Sequence, residues 1–218
     1  MYSSNTDADR GAFVWMVKNA VVPRPIAWVS TVDSAGVRNL APFSYFAPLT
    51  MDPPTVVFSI SEAPKDTLTN IEALGEFAIT IALSGQEELV ARTASTVDSS
   101  VDEAEQVGLS WTAGVRIAVP HPAGAGPSLE CTLVKIEEFR GSHLVFGEVV
   151  GVAVDDRLLR ADGRLDQDAY QPVGRMGGAT FTRVDNWVRV PIPAPEELLA
   201  GQVPGGSPDG PRNRQRYP

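Results

Sequence analysis

The chain has 218 residues, a formal net charge of −9 and 43% hydrophobic residues. It is long enough to bury a full core in one domain without disulfides or metal, and its negative field excludes nucleic acid and anionic membrane as partners. No apolar run approaches the roughly 18 residues of a membrane span. The polar, acidic start MYSSNTDADRGAF is unlike a signal peptide, so a cytoplasmic location is expected.

Residues 25–33 and 38–47 flank the turn-like DSAG at 33–36, where Gly36 can supply a positive φ, and predict a hairpin. Residues 54–61 predict a third strand, entered through Pro53 and Pro54. Asp66 is placed to cap a helix over 67–74, with Leu68, Ile71 and Leu74 on one face and Gly75 as its stop. Residues 76–83 predict a fourth strand. Ser84 and Glu87 form a capping-box pattern for a helix through Ala94; Ser99 and Asp102 repeat it up to Gly108. Residues 129–139 and 143–154 predict long strands around the tight turn Arg140-Gly141-Ser142, and a last strand lies at 179–185. The only cysteine, Cys131, sits in the first of these long strands and is expected to be a buried, inert thiol. The composition then turns proline- and glycine-rich, which predicts a domain over 1–190 and an extended or disordered tail over 191–218. Many strands with few short helices predict a mainly β fold, a closed or partly closed antiparallel barrel.

Several chemistries lack their residues. No GxGxxG follows a strand, since Gly124-Ala125-Gly126 runs into Pro127. No glycine precedes a lysine, so there is no Walker A loop. Two histidines, His121 and His143, cannot build HExxH or a three-histidine zinc site. No GxSxG elbow occurs. An enzyme of this composition takes its hard chemistry from an organic cofactor.

Five stretches carry candidate binding residues. Pro23-Arg24-Pro25 fixes the backbone before the hydroxyls of Ser30 and Thr31. Asn39-Leu40-Ala41-Pro42-Phe43-Ser44 places an amide and a hydroxyl around small, rigid residues, which lets a flat ring approach the backbone. Ser61-Glu62-Ala63-Pro64-Lys65-Asp66-Thr67 leads a strand into a helix N-terminus. Free amides, a full positive charge and two hydroxyls there make a phosphate cradle outside any P-loop. Gly141-Ser142-His143 and Arg175-Met176-Gly177-Gly178 complete the set. Each stretch taken alone is equally an ordinary strand entrance, hairpin, helix cap or exposed turn.

Their order along the chain is more specific than any one of them. PRPIA, ST, NLAPFS, PP, K-D-T, Asn70-Ile71, Glu76-Phe77, L-E-C, G-S-H, G-E-V and R-M-G-G, over residues 15–185, resemble the flavin reductase-like, flavoredoxin-type family of FMN-binding split barrels. The resemblance implies a Greek-key split β-barrel and a homodimer with FMN at the subunit interface. It implies that Ser30, Thr31, Asn39, Ala41, Pro42 and Ser44 line the ring and ribityl chain, and that Ser61, Lys65 and Thr67 hold the phosphate. Arg24 and Arg175 become further contacts, Arg175 from the partner subunit. His143 takes a positioning role near the nicotinamide. The implied activity is hydride transfer from NADH or NADPH to flavin, serving a monooxygenase or a redox protein. The alternative is a non-enzymatic FMN electron carrier. A less favoured third reading is a flavin fold recruited for a deazaflavin or haem.

Overall fold

The computed structural model describes residues 4, 6, 9–61 and 65–184, with isolated positions between 186 and 196. One compact unit covers Met1–Val184 and a second covers Asp185–Pro218. Of the tail expected from residue 191, only Ile192, Pro195 and Glu196 fall within the described residues.

The first unit begins with helix α1 (Arg10–Ala20), which the sequence reading did not anticipate. Asp9 caps it, accepting from the Ala12 amide at 2.9 Å, yet none of its side chains is buried. Only Phe13, Met16 and Asn19 are half-buried, too short an apolar stripe to give a clear periodic signal. Strands β1 (Arg24–Pro25), β2 (Ala27–Val32) and β3 (Arg38–Phe43) follow. In the β2–β3 turn the Asp33 carboxylate accepts from the amides of Ala35 and Val37 at 2.8 and 2.7 Å, and Gly36 takes φ 89°. The strand expected over 38–47 breaks at Ser44-Tyr45, and β4 (Phe46–Met51) starts anew to pair with β5 (Pro54–Ser61).

Helix α2 (Asp66–Leu74) ends on Gly75 in the left-handed region, as its sequence predicts. Its N-cap is Lys65 and not Asp66, which is the first helical residue. Strand β6 (Glu76–Thr80) stops short of the expected residue 83. Helix α3 (Glu87–Arg92) is also shorter than predicted. Ser84 does not cap it; Gln86 Oε1 accepts from the Leu83 amide and Glu87 Oε2 from the Gly85 amide. Helix α4 (Glu103–Gln106) is capped by Asp102, which accepts from the Glu105 amide, so Ser99 does not serve there. Short β7 (Trp111–Thr112) and β8 (His121–Pro122) pair with each other. Long β9 (Ser128–Phe139) and β10 (Ser142–Ala153) join through Arg140 and Gly141, both at positive φ (51° and 79°). That is the twist-matched two-residue turn of antiparallel hairpins. Strands β11 (Val173–Arg175) and β12 (Phe181–Arg183) form a small sheet with β1.

Seven strands make the main sheet in the order β3-β2-β6-β9-β10-β5-β4, all antiparallel. The chain crosses from β5 to β6 through α2, which interleaves the hairpins in Greek-key fashion. The two ends of the sheet curl together without a hydrogen-bonded seam. Phe43 of β3 meets Phe58 of β5 at 5.3 Å between ring centroids, and Phe58 meets Phe77 of β6 at 5.6 Å. This is a split barrel. Its core is the inward alternate residues Ala27, Val29, Phe58, Ile60, Ile79 and Val145, closed at one end by Ile71 of α2. Gly147 lets Phe77 lie flat against β10, since a Cβ there would stand 2.3 Å from the ring.

The outward residues of β2, β6 and β9 are buried as well. Ser30, Ala78 and Glu130 stand in register across the three strands. Residues 113–120 strap over them, with Ile117 and Val119 packed on Ala78. The strap has no ladder partner, so strand side chains satisfy it. Glu130 accepts from the amides of Val115 and Arg116 at 2.8 and 2.6 Å, Glu76 accepts from Ala118, and Ser30 donates to the Pro120 carbonyl at 2.7 Å. Cys131 is fully buried and burial pushes its thiol up to about 12, so the expected inert thiol is what the core contains. No described helix is long and apolar enough to cross a membrane.

Candidate functional site

A cleft of about 410 Å³ lies along β3, between the first turn of α2 and residues 93–99. Its strand wall is Asn39, Ala41, Pro42 and Phe43. β3 is an outer strand of the sheet. Its Leu40 amide points away from β2 and donates to Glu103 Oε2 at 2.9 Å. By strand alternation Pro42 occupies the next outward position, where no ladder donor is lost.

Local folding fixes the second wall. The Thr31 hydroxyl, fully buried, receives the side-chain amides of Asn39 at 3.3 Å and Asn70 at 3.1 Å. Asn39 also donates to the Thr67 hydroxyl at 3.0 Å. Four side chains from β2, β3 and α2 thus pin the start of the helix against the strand. The amides of Leu68 and Thr69 donate to the Lys65 carbonyl, while those of Asp66 and Thr67 have no acceptor among the described residues. Lys65, the N-cap, supplies no side-chain capping bond, and its ammonium has no ion-pair partner among the described residues. A helix start without a side-chain cap, beside a lysine, is a seat for an anion.

The third wall was not foreseen. The helix predicted through Ala94 ends at Arg92, and Thr93, Ser95, Thr96 and Ser99 line the cleft. The Trp28 indole holds the loop, donating to the Thr93 hydroxyl at 2.9 Å. The signal in the sequence was the run Thr93-Ala94-Ser95-Thr96, hydroxyl-rich and poor for helix. Glu103 closes this wall. Burial pushes its carboxyl above the usual carboxylate range against the lowering effect of the Leu40 bond, and the nearby charges of Asp102 and Asp66 add to the rise.

Of the residues singled out from sequence, Asn39, Ala41, Pro42, Lys65 and Thr67 line the cleft together. Thr31 stands behind them as an anchor. Ser30 faces the opposite side of the sheet, spent on the Pro120 carbonyl. Ser61 lies at the end of β5, its hydroxyl 3.2 Å from that of Ser142; Glu62, Ala63 and Pro64 fall outside the described residues. Ser44 accepts from Arg24 Nε at 3.4 Å just beyond the cleft. Arg175 pairs across the small sheet with Arg24 and lies over the Phe181 ring. His143 sits on β10 opposite Ile60, half-buried, with Nδ1 buried and unpartnered among the described residues.

Comparison with known proteins places this geometry. The family model of the flavin reductase like domain matches residues 19–173. Among solved structures, the 2-nitrobenzoate 2-nitroreductase of Pseudomonas fluorescens superposes with a TM-score of 0.80 at 32% identity, over 88% of this chain and 96% of that one. The nitrilotriacetate monooxygenase component B of Bacillus cereus gives 0.78 at 25% identity, over 87% and 98%. An uncharacterized protein of Deinococcus radiodurans is 36% identical over 74% of this chain and 76% of its own length.

Proposed function

Because the chain belongs to the flavin reductase-like domain family, we propose that it binds FMN in the β3–α2 cleft and works as an NAD(P)H-dependent flavin reductase. The observation that carries this reading is the first turn of α2, without a side-chain cap, beside Lys65, which has no ion-pair partner among the described residues, an anion seat in a protein of net charge −9. The donor set suits a flavin phosphate. Lys65, the Thr67 hydroxyl and the free amides of Asp66 and Thr67 would hold it. Asn39, Ala41 and Pro42 would meet the ribityl chain and ring along the strand.

Bound flavin supplies two-electron chemistry, with hydride drawn from NADH or NADPH. The chain supplies position and polarity. The Thr31–Asn39–Thr67–Asn70 network fixes the start of α2 against β3, which would hold a bound flavin by its phosphate end. The 93–99 segment and Glu103 close the far side and limit water. His143, with an unspent buried Nδ1, is proposed to position the nicotinamide. His143→Ala would then raise KM for the donor while leaving FMN affinity in place; a wild-type KM in that variant removes the role.

We further propose a homodimer and a monooxygenase as acceptor. Trp15 on α1 is 63% exposed and Val14 and Val17 are exposed with it, a face that calls for cover. The Bacillus cereus neighbour is by name a monooxygenase component. Light scattering on the purified protein checks the dimer. Anaerobic mixing of the FMN-loaded protein with NADH and NADPH separately tests the reductase. Loss of the oxidised flavin absorbance with one donor is expected; an unchanged spectrum with both would make the protein an electron carrier.

A further inference from the structure

Strands β1 and β11 pair so that Arg24 stands directly opposite Arg175. Like charges so placed repel each other, and the usual remedy is a carboxylate. Among the described residues neither guanidinium has one within ion-pair distance. Arg24 is settled by neutral oxygens instead. Its Nη1 donates to the carbonyls of Lys18 at 2.6 Å and Val21 at 2.9 Å, at the electronegative C-terminal end of α1. Its Nη2 donates to the Met176 carbonyl at 2.9 Å and its Nε to Ser44.

Arg175 has none of this. Its side chain makes no hydrogen bond among the described residues, and its guanidinium rests on the Phe181 ring at 4.7 Å from the centroid. A ring takes up none of its five donors, the fork that takes a carboxylate two bonds at a time. Burial, then the charge of Arg24, push its pKa below the ordinary arginine value, which is what an unanswered cation undergoes. The position is informative too. Ser44 follows directly on Pro42 and Phe43 of the cleft wall. Phe43, the last residue of β3, stands about 13 Å along the strand from Asn39, where Thr67 and the proposed phosphate seat lie.

We propose that Arg175, backed by the fixed charge of Arg24, is a carboxylate-binding subsite at the end of the cleft remote from Lys65, and that it holds a small organic carboxylate beside the flavin ring. This rests on the flavin reading of the cleft. The negative edge of a reduced flavin offers Arg175 the same chemistry, so the test separates the two sources.

Benzoate is titrated into the FMN-loaded protein while the flavin absorbance is followed, with benzamide as its neutral counterpart. A saturable change is expected with benzoate and none with benzamide. Arg175→Gln should weaken benzoate at least tenfold and Arg175→Lys by less, with FMN affinity within threefold of wild type in both. Three results overturn the subsite: no saturable change in the wild type, equal response to benzamide, or equal benzoate affinity in Arg175→Gln. A tenfold loss of FMN affinity in Arg175→Gln overturns it in favour of a role in holding the flavin. If the wild type takes up no FMN, the cleft reading fails by itself. Benzoate calorimetry on the same protein then judges the arginine subsite, with saturable binding lost in Arg175→Gln supporting it and its absence in the wild type ending it.

Discussion

The two faces of β2 bury polar side chains in opposite ways. On the outward face Ser30, Glu76 and Glu130 give their hydrogen bonds to the backbone of the 113–120 strap, so those groups are spent on the fold. On the inward face Thr31, Asn39, Thr67 and Asn70 bond to one another, and their network stops at a cleft where Lys65 and the first amides of α2 remain unspent. Burial alone does not separate the two, since Ser30 and Thr31 are both fully buried. What separates them is whether the hydrogen-bonding capacity is used up. A satisfied buried group maintains the fold, and an unsatisfied one at a cleft is available to a ligand.

Replacing groups on each side breaks or sharpens that contrast. The largest effect is expected on the strap. Glu130→Ala removes a buried carboxylate and the two hydrogen bonds by which it holds the strap, and should cost about 2–3 kcal/mol in urea unfolding, while the folded fraction keeps its FMN affinity. Lys65→Ala should do the reverse. It should weaken FMN by about 1.5–3 kcal/mol in fluorescence titration and leave the unfolding midpoint nearly unmoved; equal FMN affinity in the variant would remove the phosphate seat. The neighbours Ser30 and Thr31 give the finest comparison. Ser30→Ala and Thr31→Val should each cost about 1 kcal/mol of stability. Only Thr31→Val should also loosen FMN, because Asn39 and Asn70 lose their common acceptor.

The smallest effect is a pH slope. The native carboxyl of Glu103 is raised above its ordinary value of 4.5 by burial, so the native state holds its proton more tightly than the unfolded chain. Stability from this group is complete below about pH 4.5 and is lost as pH rises through the native pKa. Glu103→Gln removes the titration. Its stability relative to wild type should therefore improve from pH 4 to pH 7 in parallel urea series, and a constant difference would show that folding leaves the Glu103 pKa unshifted.

Much of the barrel was legible because alternation and turn residues report it directly. Strand β5 was placed to the residue, and the β9–β10 hairpin within one. The proposed phosphate seat can be named from sequence because Lys65 is one of three lysines and sits at a strand-to-helix junction. Three things were not legible. Helix α1 fully buries no side chain, so only a weak periodicity marks it. The 93–99 wall hides behind a capping box whose serine does not cap. The opposite fates of Ser30 and Thr31 depend on which face the strap covers, and the strap folds from residues more than 80 positions away (Ser30 to Pro120 spans 90). Local pattern says that the two side chains diverge, not which of them meets a ligand.

The Leu40–Glu103 bond has a consequence beyond the cleft. An outer strand with free amides invites a strand from another molecule to add to it. On β3 the outward amide of Leu40 is already occupied by a carboxylate, the outward position at Pro42 has no amide to offer, and Arg38 brings a charge held by Asp102. The strand that lines the ligand cleft is therefore closed to edge-on association. Glu103→Ala should make the protein more prone to aggregate on concentration even where it folds.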